Sequence, residues 1–136
     1  MGQTGLLVAV VVLLTAAIFG LVRRSRSGKV RPVQAAPFDL SSLGVEPGRV
    51  TLLQFSSAFC APCRATRAIL GRIASETPSV EHLEVDAESH LEAVRALGIW
   101  RTPTVLIIDA SGRIVGRAQG TPTLAQIRAA IGVLHA

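Results

Sequence analysis

Apolar positions fall along the chain in several distinct patterns. From Leu6 to Val22 they are interrupted only by Thr15 and Gly20, and no residue is charged. Val50 to Phe55 is a short apolar run that opens on β-branched residues and predicts a buried strand over Val50–Ser56. Next, Ala65, Ala68, Ile69 and Ile73 recur at helical spacing, predicting a helix from Ala61 to Glu76 that stops before Pro78. Val80 to Asp86 alternates apolar and polar residues as a half-buried strand does. Leu91, Val94 and Leu97 share one side of a helix predicted over Glu88–Leu97, with Gly98 just past its end. Pro103 to Ile108 is nearly all apolar, as in a strand covered on both faces. Asp109 to Arg113 has turn chemistry, and Ile114–Gln119 returns as an antiparallel partner. A last helix, predicted to start at Thr121–Pro122, carries Leu124, Ile127, Ile131 and Leu134 along one stripe.

The folded part is therefore α/β, in the order strand, helix, strand, helix, strand, strand, helix. Strands separated by helical segments predict parallel pairing by crossover, and the closing hairpin adds an antiparallel edge. A central mixed sheet flanked by helices is the expected architecture.

The first apolar run stands outside this scheme. Seventeen residues at about 1.5 Å each give roughly 26 Å of helix, close to the hydrocarbon thickness of a bilayer. Apolar on every side, it predicts one N-terminal transmembrane helix. A cleaved signal peptide fits less well, because Met1 to Thr4 carry no basic residue and the run ends in Arg23–Arg24. The small residues around Val33–Gln34–Ala35 lie beyond five positive charges. Three regions follow: an anchor over 1–22, a basic juxtamembrane linker over 23–37, and a folded domain over 38–136.

Charge sharpens that division. Arg23, Arg24, Arg26, Lys29 and Arg31 account for the whole formal charge of +5, since the other nine Lys and Arg balance nine Asp and Glu. Nucleic-acid binding needs a basic cluster on the folded domain; the charge here points to a membrane surface. Basic residues beside a span favour the cytoplasmic side, so the domain is expected on the cytoplasmic face of the cell membrane, with the extracytoplasmic face as the alternative.

Cys60-Ala61-Pro62-Cys63 holds both cysteines of the chain, between a strand and a helix. Cys60 falls at the helix mouth and Pro62 in the first turn, where its missing N–H costs nothing. Free N–H groups and the positive end of the helix dipole favour an anion there, which lowers a thiol pKa from about 8.5. Arg64 and Arg67 add to the effect if they turn towards the sulfur. The second cysteine lies close enough to attack a mixed disulfide on the first. Other uses fit poorly. Closing so short a loop stabilises little, and zinc needs about four ligands where only His82, His90 and His135 remain, none closely paired. Two inert cysteines leave the intervening proline without a purpose.

From Val50 onward the chain resembles the thioredoxin superfamily, and in outline its membrane-tethered bacterial members. The matching features are Phe59-Cys60-Ala61-Pro62-Cys63-Arg64 after a strand, Thr102–Pro103 before the next long strand, and Gly120 before the last helix. The resemblance implies that Cys60 is the attacking sulfur and Cys63 the buried one that completes the exchange. It also implies a cis bond at Thr102–Pro103, with the Thr102 backbone free to pair with an extended substrate. Phe59 and Trp100 are then candidates for lining the substrate groove. Where many thioredoxins have a buried acid, this chain has Gln54, and His82 on the neighbouring strand is a candidate for proton transfer in its place. Ser56, Ser57 and Ala58 replace aromatic positions before the motif. The usual first strand and helix look shortened to Phe38–Gly44, unless the linker supplies them.

The function so implied is a membrane-tethered thiol–disulfide oxidoreductase that reduces protein disulfides. Its partners are protein thiol and disulfide substrates, an upstream electron donor, and the membrane through the anchor and basic segment; nucleic acid is not among them. The redox-active Cys60–Cys63 disulfide needs no further cofactor and no metal. Two other readings are a fold-retaining module that binds a soft metal such as Cu(I) through the thiols, and a membrane-bound interaction module with inert cysteines.

Overall fold

The computed structural model describes residues 2–33 and 37–135. It begins with α1 (Gln3–Arg26), a 24-residue helix with no buried residue, whose most apolar 18-residue stretch has mean hydropathy 2.8. This is about 36 Å of helix at 1.5 Å per residue. It has the length and composition of a membrane span or a signal sequence, and it packs into no core. The helix continues past Val22 because Arg23, Arg24 and Arg26 are good helix formers placed in the last turn, where positive charge suits the dipole. The Gln34 and Ala35 of the weighed cleavage stretch lie outside the described residues.

The segment expected as a linker behaves differently. After Ser27, Gly28 turns at φ 75° and Val30–Arg31 forms β1, antiparallel to β5 (Ile114–Gln119), with Val30 opposite Ala118 and Arg31 opposite Arg117. A two-residue edge strand has no hydrophobic period, and the basic run conceals it. Gly28 is buried here, and its N–H donates to Gln119 O at 2.6 Å. A Cβ at this position would lie 2.2 Å from Thr121 O, so only glycine fits. The apolar helix is thus joined to the sheet by three residues, the middle one of which the sheet itself holds.

Phe38–Gly44 gives a single 3-10 turn at Leu40–Leu43, begun by Asp39, whose side chain accepts from Ser41 N. The sheet then forms in the order β1-β5-β4-β2-β3, with β2 at Val50–Ser56, β3 at Val80–Asp86 and β4 at Thr104–Ile108. β2 and β3 are parallel, joined by α2 (Ala61–Glu76). β4, expected parallel by crossover, instead runs antiparallel to β2. The intervening α3 is only Leu91–Ala96, about 9 Å long, whereas β3 extends about 23 Å. So short a helix cannot return the chain along β3, and β4 starts at the end of the sheet where β3 stops.

The helix predicted over Glu88–Leu97 is broken for a local reason. Asp86 accepts from Glu88 N and from Ser89 Oγ, winding Ala87–Ser89 into a 3-10 turn before the chain restarts at Leu91. The last helix, α4, is Leu124–His135 and begins three residues later than expected. Thr123 and Gln126 make a reciprocal cap: Gln126 N donates to Thr123 Oγ1, and Thr123 N to Gln126 Oε1.

Alternation along β2 and β4 builds two cores. Leu53, Phe55, Leu106 and Ile108 pack with Ala93, Leu97 and Ile99 on one face. Leu52, Val105 and Ile107 pack with Leu70 and Ile73 of α2 and Ile127 and Ile131 of α4 on the other. All positions of β2 and β4 are buried, as expected of central strands. The loop between β2 and α2 therefore leaves the sheet from its most rigid part.

Candidate active site

Cys60 is the N-cap of α2, Pro62 lies in the first turn and Cys63 follows it. The two sulfurs form a disulfide, with Cα atoms 5.2 Å apart. The N–H of Cys63 donates to Cys60 Sγ at 3.2 Å, so the sulfur occupies the place that a serine oxygen takes at many helix starts. Cys63 is buried at 2 % exposure, whereas Cys60 is partly exposed. One cysteine is open to solvent and the other is sheltered.

Beneath the pair lies Gln54, wholly buried on β2. Its Nε2 donates to Cys63 O and to Ser56 Oγ, each at 2.9 Å. That leaves Oε1 to accept from His82 Nε2 at 3.0 Å, which requires the proton on that nitrogen. Parallel pairing sets Leu52 opposite His82, so Gln54 is two positions along the same face. Burial pushes the His82 pKa down, Glu84 pulls it up, and Arg67 pushes it down again. The imidazole meets Gln54; among the described residues neither sulfur is hydrogen-bonded to it.

Arg67 does not turn towards the sulfur. Its guanidinium donates to both carboxylate oxygens of Glu84, at 2.5 and 2.6 Å, and these bonds hold the Glu84 carboxyl below the usual carboxylate range against the opposing effect of burial. A fork-to-fork pair of this kind fixes the plane and direction of the guanidinium. Arg64 is exposed.

Thr102–Pro103 is cis, as the family resemblance implied. Thr102 Oγ1 and Ser57 Oγ are 2.8 Å apart, tying this loop to the strand end that leads into the cysteines. Pro62, Thr102, Pro103, Gly120 and Thr121 line one open cleft of about 880 Å³. Phe59, with φ 57° and a fully exposed ring, immediately precedes Cys60. Trp100 is 88 % exposed, so it is not core packing. The cysteines, Phe59, Thr102 and Pro103 share one end of the sheet, while His82 reaches that site through Gln54.

The sequence reading passed over Thr66 and Thr121. Thr66 Oγ1 donates to Pro62 O at 2.9 Å and Thr121 Oγ1 to the same carbonyl at 3.3 Å. The i+4 spacing of Thr66 from Pro62 was a usable signal, since a helical threonine often bonds back by one turn; Thr121 had none.

The thioredoxin family model matches residues 33–132. The chain belongs to the thioredoxin family. Solved thioredoxins share the fold: one from Fasciola hepatica has a TM-score of 0.58 at 26% identity, covering 70% of this chain and 86% of its own. A point-mutant thioredoxin from Halobacterium salinarum gives 0.62 at 18% identity, covering 74% and 86%. Thioredoxin H-type 1 of Nicotiana tabacum is 31% identical over 77 residues, which are 57% of this chain and 60% of that protein. NADPH-dependent thioredoxin reductase 3 of Arabidopsis thaliana is 36% identical over 69 residues, 50% of this chain and 13% of that protein. Against its thioredoxin H relatives the chain thus spans about half of their length. Within this thioredoxin domain, Gln54 bonds the Cys63 carbonyl and His82 is linked to it through Gln54.

Proposed function

We propose that this thioredoxin domain is a thiol–disulfide oxidoreductase that reduces protein disulfides beside a membrane. The observation that carries the reading is the Cys60 sulfur at the N-cap of α2, accepting the Cys63 N–H, with Cys63 buried behind it. An acceptor placed at a helix start is stabilised most when it is charged, so reduction turns that position into a thiolate site.

In the reduced domain the Cys60 thiolate attacks one sulfur of a substrate disulfide and displaces the other as a thiolate. The Cys63 sulfur, after losing its proton, then attacks Cys60 and displaces the second substrate sulfur. Two electrons pass to the substrate, the substrate sulfurs take up two protons, and the domain is left as the Cys60–Cys63 disulfide. The pair is the whole redox couple, and an upstream thiol donor reduces it again. Gln54 holds the Cys63 carbonyl throughout. His82 is the titratable group linked to that carbonyl through one amide. Phe59 and the Thr102 backbone border the approach to Cys60 and are assigned to substrate contact, with Trp100 at the edge.

The anchor is assigned to α1, whose exposed apolar surface and basic last turn fit a single span with the domain on the side of its arginines. The domain on the cytoplasmic face would draw on a reducing thiol pool.

Insulin reduction by the full chain in detergent, with dithiothreitol as donor, tests the activity. Catalysis by wild type, its loss in Cys60→Ser, and accumulation of mixed disulfides through Cys60 in Cys63→Ser are expected. Catalysis that survives in both variants would overturn the assignment.

A further inference from the structure

We propose that the cleft where α1 meets the sheet edge is a seat for the phosphate of an anionic phospholipid. Six cations line this cleft of about 430 Å³: Arg23 and Arg26 from the end of α1, Lys29 and Arg31 around β1, Arg101 from the loop before Thr102, and Arg117 from β5. Only four of them belong to the basic run next to the anchor. The other two come from the folded domain, which the charge count alone treats as neutral.

None of the six has a carboxylate within 4 Å among the described residues. Five arginines elsewhere on the domain, Arg49, Arg67, Arg72, Arg113 and Arg128, each have one. Arg24, Arg64 and Arg95 also lack one, so what marks the cleft is that six such cations line a single space. Arg117 is the one of the six whose side chain has hydrogen-bond partners among the described residues. Its terminal nitrogens donate to Leu97 O and Gly98 O, which fixes the guanidinium, yet its buried Nε has no acceptor. A buried N–H without a partner is costly and uncommon in folded proteins.

The backbone that carries these cations is also held in place. The Gly28–Gln119 hydrogen bond and the pairing of Val30 with Ala118 lock the end of α1 to β5. One ligand can therefore bridge residues of the anchor and of the domain at a single geometry.

Position selects a lipid over a free anion. Arg23 and Arg26 lie in the last turn of the apolar helix, directly after Val22. With α1 in a bilayer, the cleft opens at the depth of the headgroups, where anionic lipids attract basic residues. This rests on the membrane reading above. A headgroup held there would also touch Arg101, next to Thr102, and so keep the redox face beside the bilayer surface.

The test uses the full chain in a non-ionic detergent, titrated with short-chain phosphatidylglycerol, phosphatidylcholine of the same chains, or inorganic phosphate. Trp100, the sole tryptophan and the neighbour of Arg101, serves as fluorescence probe, and native mass spectrometry counts bound lipid independently. Saturable phosphatidylglycerol binding is expected, at least tenfold tighter than phosphatidylcholine or phosphate and weakened by salt. The double variant Lys29→Gln, Arg101→Gln is expected to lose at least tenfold in affinity, while Arg95→Gln binds as wild type does. Equal binding of phosphatidylcholine, or an unaffected double variant, overturns the seat; equal binding of phosphate makes it a free-anion site and overturns the lipid. Alkaline extraction of membranes carrying the chain tests the anchor separately. Release into the soluble fraction defeats the membrane reading whatever the titration gives, whereas retention without phosphatidylglycerol preference defeats the seat alone.

Discussion

The N–H of Cys63 lies 3.2 Å from the sulfur of Cys60, so the atom assigned to attack substrate is also the cap of its own helix. Capping and reactivity are then one interaction viewed in two states. In a Cys63→Ser background, where no disulfide can close, Cys60→Ser keeps a capping oxygen and Cys60→Ala removes it. Serine is expected to exceed alanine in stability by about 1 kcal/mol. Urea denaturation of the full chain in detergent measures this; equal midpoints would show that the position does not cap.

Gln54 and Thr51 are both wholly buried on β2, but only one of them is satisfied. Gln54 has three hydrogen bonds, and Gln54→Leu leaves the Cys63 carbonyl, Ser56 and His82 short of a partner. A loss of about 1–3 kcal/mol is expected. Thr51 Oγ1 is buried without a partner, and Thr51→Val removes it at nearly constant volume. That change is expected to stabilise by about 1 kcal/mol. The two denaturation midpoints should move in opposite directions; an unlowered midpoint in Gln54→Leu would show that the hydrogen bonds of Gln54 carry no weight, and a lowered one in Thr51→Val that the Thr51 hydroxyl is satisfied.

His82 makes stability depend on pH with a definite sign. Its folded pKa lies below the unfolded value of about 6.5, chiefly through burial. Between the two values the unfolded chain holds more protons, so stability is full above about pH 6.5 and falls as pH drops towards the folded pKa. His82→Gln is expected to flatten that part of the profile. Denaturation midpoints of wild type and variant at pH 5 to 8 check it, and parallel curves would contradict the burial effect.

Gly28→Ala places a methyl against the backbone of Thr121, which no side-chain rotation relieves. Loss of the Gly28–Gln119 bond and of β1 pairing is expected, with the rest of the sheet intact. Trypsin, with Lys29 as the site, should cut the variant at least tenfold faster than wild type. Unchanged cleavage would mean that the junction is not held by this contact.

Much of this arrangement was legible in the residues because the informative signals were local. The run Val50–Ser56, the alternation of Val80–Asp86 and the hairpin strand Ile114–Gln119 all form as read, and α2 spans Ala61–Glu76 as expected. The cysteine pair at a helix mouth needed only its neighbours. What escaped depends on competition or on distant partners. Thr123 and Gln126 carried a capping signature, but Thr121–Pro122 offered an earlier start, and the reciprocal bonds of Thr123 and Gln126 set the later one. Asp86 captured two donors and broke a helix that apolar spacing alone supported. Arg67 was near the sulfur in sequence, yet Glu84, seventeen residues away, holds it. Gln54 and His82 were both singled out, but that they meet is set by the register of two parallel strands.

The most direct measurement is the rate of alkylation of each cysteine in the fully reduced chain as a function of pH, with the sites identified by mass spectrometry. Cys60 is expected to react first, with a pKa well below 8.5, while buried Cys63 stays protected until the protein unfolds. Equal reaction of both thiols, with pKa values at or above 8.5, would contradict a thiolate held at the start of α2.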